Sequence, residues 1–291
     1  MVIIFKRQVV PDARASSKPS STWSRIMHVI AVALGIYVFG SAYLFFAQEN
    51  LLFFPQRISV ERLESVKKEF PEAEELNLTS SDGIGIHGWF VKNSENSVAP
   101  AIIYFGGNAE EVSWMIPELK KFKGRSFAAF NYRGYGLSRG TPGEKEIFED
   151  SLIIYDYVSS RKDVRKDDIS TVGRSMGSAA AVYLAENRPV KKTLLVGPPD
   201  SIENIAKEMF PYVAVSIIIK HPFDSLSRAP NIHTPALFVI AEKDSIVKPE
   251  HSLRLALAWG GEKDVLIIEG KDHNNVVVDD YLARGTEFFE E

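Results

Sequence analysis

Apolar and polar positions along this chain follow two regimes. Residues 26–47 carry no Asp, Glu, Lys or Arg, and the polar interruptions are His28, Ser41 and the tyrosine hydroxyls. As a helix, these residues reach about 33 Å, enough to cross a hydrocarbon core of about 30 Å. A helix of a soluble domain would normally keep a polar face, and this stretch has none. The pattern therefore predicts a transmembrane helix over 26–47. A cleavable signal peptide is the rival reading, but its apolar region would be shorter, and no clean small-x-small cleavage site follows.

Beyond a connector at 49–71, expected near the membrane surface, the pattern changes. Alternating runs at 75–79 and 84–91 flank Ser81-Asp82-Gly83. That is a hairpin signal and predicts two antiparallel strands. Short apolar runs at 101–105, 127–131, 169–172, 193–196, 236–240 and 265–268 then alternate with helix-like segments at 146–161, 178–187, 250–259 and 276–289. Such alternation predicts βαβ units, hence an α/β fold whose mostly parallel sheet carries helices on both faces. Residues 198–234 exceed a simple strand-to-helix connection and include the apolar run 212–219. They predict a small lid insertion, whose apolar run either lines an acyl pocket or forms an ordinary core-facing helix.

With 291 residues and 45% hydrophobic content, the chain can build one sizeable α/β core. The expected organisation is a cytoplasmic N-terminal segment 1–25, a span 26–47 and a catalytic domain 48–291. A net charge of −4 with no basic, aromatic-interleaved patch argues against nucleic acid as partner. There is no cysteine, which excludes disulfides, thiolate metal sites and a cysteine nucleophile. Without a Walker loop or a His-Glu-x-x-His helix, no metal or cofactor is expected. Before the span stand Lys6, Arg7, Arg14, Lys18 and Arg25 against Asp12 alone, and the first basic residue after it is Arg57. The positive-inside rule then predicts a cytoplasmic N-terminus and an extracytoplasmic catalytic domain.

Chemistry concentrates at Gly173-Arg174-Ser175-Met176-Gly177, directly behind the apolar run 169–172. A strand turning sharply into a helix exposes the serine hydroxyl at the sheet's carboxyl edge, with glycines two residues either side making room. A tight turn without chemistry would use the same glycines, so the partners decide. A hydroxyl is a poor nucleophile at neutral pH and needs an imidazole to take its proton, with an acid to hold the ring's tautomer. The run 236–240 opens into Asp244, and the run 265–268 opens into His273. The order Ser175, Asp244, His273 is that of the α/β-hydrolases. Asp200, past the strand 193–196, is a second candidate acid. His87, His221, His233 and His251 read as surface or packing residues. The loop Phe105-Gly106-Gly107-Asn108-Ala109 follows the first parallel strand, where an oxyanion hole takes one backbone N–H. Gly107 and Asn108 are candidate donors there, and the Met176 N–H is the other. A glycine turn for tight packing would account for Gly106 and Gly107 as well. The loop 131–138 also ends a strand and receives no catalytic role.

Residues 104–109, 131–138, 173–177, 223–225 and 244–247 together resemble the α/β-hydrolase branch of membrane-anchored serine hydrolases that includes depalmitoylating enzymes. The resemblance covers roughly residues 45–290 and includes the N-terminal anchor. It implies the triad Ser175, Asp244 and His273, hole donors near Asn108 and at Met176, and cleavage of an ester or thioester in a small or lipid-like acyl substrate. Amide cleavage, or a non-catalytic interaction module on the same scaffold, remain the alternatives. One departure stands out: the family usually has His-Gly where this chain has Gly106-Gly107.

Overall fold

A computed structural model of the chain describes residues 21–93, 95–277 and 279–291. The expected cytoplasmic segment lies outside the described residues up to position 20, including Lys6, Arg7, Arg14 and Lys18. The first helix, α1 (Ser21–Leu52), extends past both ends of the span read from the sequence. Within Thr22–Leu52 its most apolar 18-residue window has mean hydropathy 2.2, and the helix is long and apolar enough to cross a membrane. By internal packing, Phe45–Glu291 forms one compact unit.

That unit is built on eight strands: β1 (Ala73–Thr79), β2 (Gly85–Val91), β3 (Ala99–Phe105), β4 (Ser126–Phe130), β5 (Val164–Arg174), β6 (Thr193–Val196), β7 (Ala236–Ala241) and β8 (Lys263–Ile268). They lie in the order β1-β2-β4-β3-β5-β6-β7-β8. The hairpin β1–β2 and the pair β2–β4 are antiparallel, and every other neighbouring pair is parallel. Each of the eight runs read as strands in the sequence is one, with ends shifted by a few residues.

Side-chain alternation explains the layering. In β3, Ala101, Ile103 and Phe105 join one apolar cluster while Ile102 and Tyr104 join a second, as the two-residue strand period requires. The helices α2 (Val60–Glu69), α3 (Ile116–Leu119), α4 (Glu144–Ser160), α5 (Gly177–Asn187), α6 (Ile202–Met209), α7 (Val215–Ile218), α8 (Pro249–Ala258) and α9 (Asp279–Glu290) complete the fold. The first cluster takes Ile147 and Val158 of α4, Ala179 to Ala181 of α5 and Leu255 of α8. The second takes Val66 of α2, Ile116 of α3 and Phe288 of α9. Strands buried on both faces read as continuous apolar runs, which is why the sequence signals them clearly. The edge strand β8 keeps Lys263 and Asp264 exposed, charges that discourage pairing with another chain.

The connector read at 49–71 holds structure of its own: α1 runs through Leu52 and α2 occupies Val60–Glu69, capped by Ser59 accepting from Arg62 N–H. Within α2 only Val66 is buried, so its apolar stripe is too thin to stand out between charges. In the stretch 198–234, expected to form a lid, the run 212–219 is not the core-facing helix that is one of its two readings. Its helical part is the four-residue α7, in which only Val215 is buried while Ile217 is 83% exposed.

Candidate active site

Ser175 follows the last residue of β5, and its backbone has φ 51°, a left-handed conformation rare outside glycine. The turn is fixed from both sides. Ser175 N–H donates to Val196 O at 2.8 Å, and Ser178 N–H donates to Ser175 O at 3.0 Å. A Cβ on Gly173 would stand 2.5 Å from Ser178 Cα, and one on Gly177 would stand 2.2 Å from Phe105 O. Only glycine lets α5 pass this close to its own strand and to the end of β3. Holding a non-glycine residue in this region costs about 1–3 kcal/mol, which the surrounding packing must supply.

His273 lies beyond β8, with Nε2 at 2.8 Å from Ser175 Oγ and Nδ1 at 2.6 Å from Asp244 Oδ2. Asp244, just past β7, accepts the N–H groups of Ile246 and Val247 on Oδ1, at 3.0 and 2.8 Å. One carboxylate oxygen is thus fixed by its own turn, leaving the other to the imidazole. Both Asp244 and His273 are buried, which strengthens the hydrogen bond between them. Gly197 borders this pair: a Cβ there would lie 3.3 Å from His273 Nδ1.

Asp200, the rival acid, is engaged elsewhere. Its Oδ1 meets His251 Nδ1 at 2.7 Å, and its Oδ2 accepts from Arg254 Nε at 2.6 Å and Asn204 Nδ2 at 3.0 Å. Burial opposes its ionisation, but the hydrogen bonds from His251 and Asn204 prevail and hold its carboxyl below the usual range. His251 and His87 are packing residues, fully buried, while His233 is exposed.

Of the proposed oxyanion donors, the structure corrects one. Gly107 N–H donates to Glu110 Oε2 at 3.2 Å and is therefore occupied. Among the described residues, neither the Asn108 N–H nor the Met176 N–H has an acceptor. The contact of Gly177 with Phe105 and Gly106 brings these two peptides to the same corner of the sheet.

The Asn108 side chain anchors this corner. It donates from Nδ2 to Leu52 O and accepts on Oδ1 from Phe54 N–H at 3.0 Å and Tyr135 OH at 2.8 Å. Burial pushes the Tyr135 phenol up to about 12, so it remains a donor at neutral pH. Tyr132 OH donates to Gly106 O at 2.7 Å. The loop 131–138 thus braces the loop 105–109, a role its glycine-rich sequence does not signal. Arg133, buried in that loop, is in turn held by Asp150 at 2.9 Å.

The insertion after β6 is tied to the last turns of α1. Gln48 Nε2 donates to Ile218 O at 3.0 Å, Gln48 Oε1 accepts from Lys220 N–H at 2.7 Å, and Lys220 Nζ pairs with Glu49 at 3.1 Å.

No family model matches the chain. It is 28% identical over 244 residues to the Arabidopsis thaliana alpha/beta hydrolase domain-containing protein WAV2, covering 75% of this chain and 77% of that one. It is 28% identical over 221 residues to the Saccharomyces cerevisiae uncharacterized membrane protein YNL320W, covering 71% and 75%. Among solved structures, the Pyrococcus furiosus esterase Pf2001 superposes with a TM-score of 0.64 at 19% identity, over 82% of this chain and 97% of that one.

Proposed function

We propose that this chain, an α/β-hydrolase by fold, is a membrane-anchored serine hydrolase cleaving a carboxylic ester or thioester through an acyl-enzyme. The observation that carries the reading is the continuous path from Ser175 Oγ through His273, at 2.8 Å, to Asp244, at 2.6 Å. His273 Nε2 takes the hydroxyl proton as Ser175 Oγ bonds to the acyl carbon. The carbonyl π electrons move to oxygen, and the resulting oxyanion receives the N–H groups of Asn108 and Met176. Collapse of this intermediate breaks the bond to the leaving alcohol or thiol, which takes the proton from His273. Water then enters by the same route and releases the acid. Asp244 stays ionised throughout and offsets the imidazolium charge.

The esterase name of the Pyrococcus neighbour favours an ester over an amide, and the hydrolase name of the Arabidopsis relative fits either. The apolar α1 and the membrane-protein relative support an anchored enzyme, and the basic residues before Ile26 favour an extracytoplasmic catalytic unit. A lipid-like acyl chain would gain about 0.8 kcal/mol for each CH₂ it buries, and the insertion after β6 offers the half-buried Ile218 as an apolar surface to a chain that reaches that far.

The test is a p-nitrophenyl ester series, acetate to decanoate, with the matching thioesters and anilides, on the detergent-solubilised chain. Ester or thioester turnover that rises toward medium chains supports the reading. Turnover of anilides alone would make the protein an amidase. A reporter fused after Glu291 should behave as extracytoplasmic, and a cytoplasmic signal would reverse the orientation.

A further inference from the structure

Gly106-Gly107 is the weakest dipeptide on which to build an oxyanion hole. Two successive glycines have more backbone freedom than any other pair, whereas a hole works only if its donors are already oriented before charge develops. Something outside the pair must fix it. One carboxylate does so: Glu110 Oε2 accepts the Gly107 N–H at 3.2 Å and Arg174 Nη1 at 3.1 Å, while Oε1 accepts Tyr104 OH at 2.7 Å. These partners come from three places that have to agree, namely the hole loop, the residue preceding Ser175, and the strand β3 that feeds the loop.

The spatial fit supports a coupled arrangement. A Cβ on Gly106 would lie 3.0 Å from Glu110 Oε1 and 3.3 Å from its Cδ. The carboxylate therefore fills the room that a side chain at position 106 would need. Without a side chain at 106, the glycine pair takes its constraint from a carboxylate four residues later, beside the Tyr132 hydroxyl on Gly106 O and the Asn108 side-chain bonds. The Glu110 side chain is only 10% exposed, so water competes little for these bonds. Burial raises its pKa, opposed by the Arg174 guanidinium, the Tyr104 hydroxyl and the Gly107 N–H, all of which favour the ionised form.

We infer that Glu110 is a positioning residue, occupying the Gly107 N–H and holding Arg174 so that the Asn108 N–H, not that of Gly107, faces the reacting carbonyl. The inference rests on Ser175 being the nucleophile. Glu110 touches no reacting atom and acts through the loop and the residue beside the serine.

The test compares wild type with Glu110→Gln, Glu110→Ala and Tyr104→Phe in the full detergent-solubilised chain. It reads kcat and KM for p-nitrophenyl acetate, and the inhibition constant of a trifluoromethyl ketone, whose tetrahedral adduct places an oxyanion in the hole. Removing a hole donor outright typically costs about 100- to 1000-fold in kcat, so misorienting one should cost less. Glu110→Ala should lower kcat about 10- to 100-fold with KM within about twofold, and weaken the ketone in the same proportion. Glu110→Gln keeps an acceptor for Gly107 and should fall between Ala and wild type. Tyr104→Phe spares both Oε2 bonds and should lose least. If Glu110→Ala fails to fold, Glu110→Gln decides alone: kcat and ketone affinity equal to wild type overturn the inference. So does a loss confined to thermal stability. Fluorophosphonate labelling of the wild type separates the two levels. An unlabelled wild type sinks the serine-hydrolase reading and this inference with it, whereas a labelled wild type with unaffected variants sinks only the role of Glu110.

Discussion

His273 Nε2 stands 2.8 Å from Ser175 Oγ across 98 residues of sequence. Parallel neighbours bring the two together: β5 pairs with β6, β6 with β7 and β7 with β8, so the loops after their carboxyl ends share one edge of the sheet. Each of Ser175, Asp244 and His273 sits within about five residues of the carboxyl end of a parallel strand, β5 and β7 being buried and β8 the exposed edge, and the rigid sheet sets the distance.

The strain at Ser175 gives a stability prediction that activity assays cannot supply. With φ at 51°, a side chain at 175 is held against its preference. Ser175→Gly should be more stable than Ser175→Ala by about 1 kcal/mol, since glycine adopts this conformation freely. Both variants should be inactive. Thermal unfolding of the pair checks this, and an alanine variant at least as stable as the glycine variant would contradict the strained turn.

The two acids separate by effect. Asp244→Asn should lower kcat by about 10⁴ with little change in unfolding temperature, because the amide favours the wrong histidine tautomer. Asp200→Asn should do the reverse. It weakens a buried contact to His251 and Arg254 and should cost stability of about 1–3 kcal/mol while sparing most of the activity. A larger kcat loss from Asp200→Asn than from Asp244→Asn would exchange their roles.

Acid should weaken the fold through one buried and one half-buried imidazole. Burial lowers the pKa of His87, and of His221, from the ordinary value near 6.5. Between the lowered folded value and 6.5 the unfolded chain binds the extra proton and the folded one does not, so stability is full above 6.5 and falls as pH drops below it. Denaturant unfolding from pH 7.5 to 5 should follow this slope, and His87→Gln should flatten it without removing the His221 share. An unchanged slope would mean that His87 does not titrate differently on folding.

Gln48 is expected to restrain the insertion after β6 through its two bonds to Ile218 and Lys220. Gln48→Ala in the full chain should speed limited proteolysis between α6 and α7 several-fold while leaving p-nitrophenyl acetate turnover within about twofold. Equal cleavage rates would show that the remaining packing holds the segment by itself.

Much of this is legible in the sequence because the parallel strands, including the edge strand β8 with its Val265-Leu266-Ile267-Ile268, are written as apolar runs, and the residues within a turn or so after each run fall at the carboxyl edge of the sheet. Ser175, Asp244 and His273 could be placed that way. Gly107 could not. Whether its N–H is free depends on Glu110, a contact made by tertiary packing that no local pattern encodes. The helix α2 was hidden for a related reason: one buried valine, Val66, is too little periodicity to set against seven surrounding charged or polar residues. The apolar run 212–219 misled in the opposite direction, since hydrophobicity read as burial belongs here to residues such as Ile217 that stay in the open.

The central claim is that Ser175 carries the acyl group. Detergent-solubilised protein should be treated with a fluorophosphonate, digested and mapped by mass spectrometry, alongside Ser175→Ala and His273→Ala. The expected result is a single adduct on Ser175 in the wild type, absent from Ser175→Ala and formed far more slowly in His273→Ala. No adduct, or one on a different serine that persists in Ser175→Ala, would contradict the account.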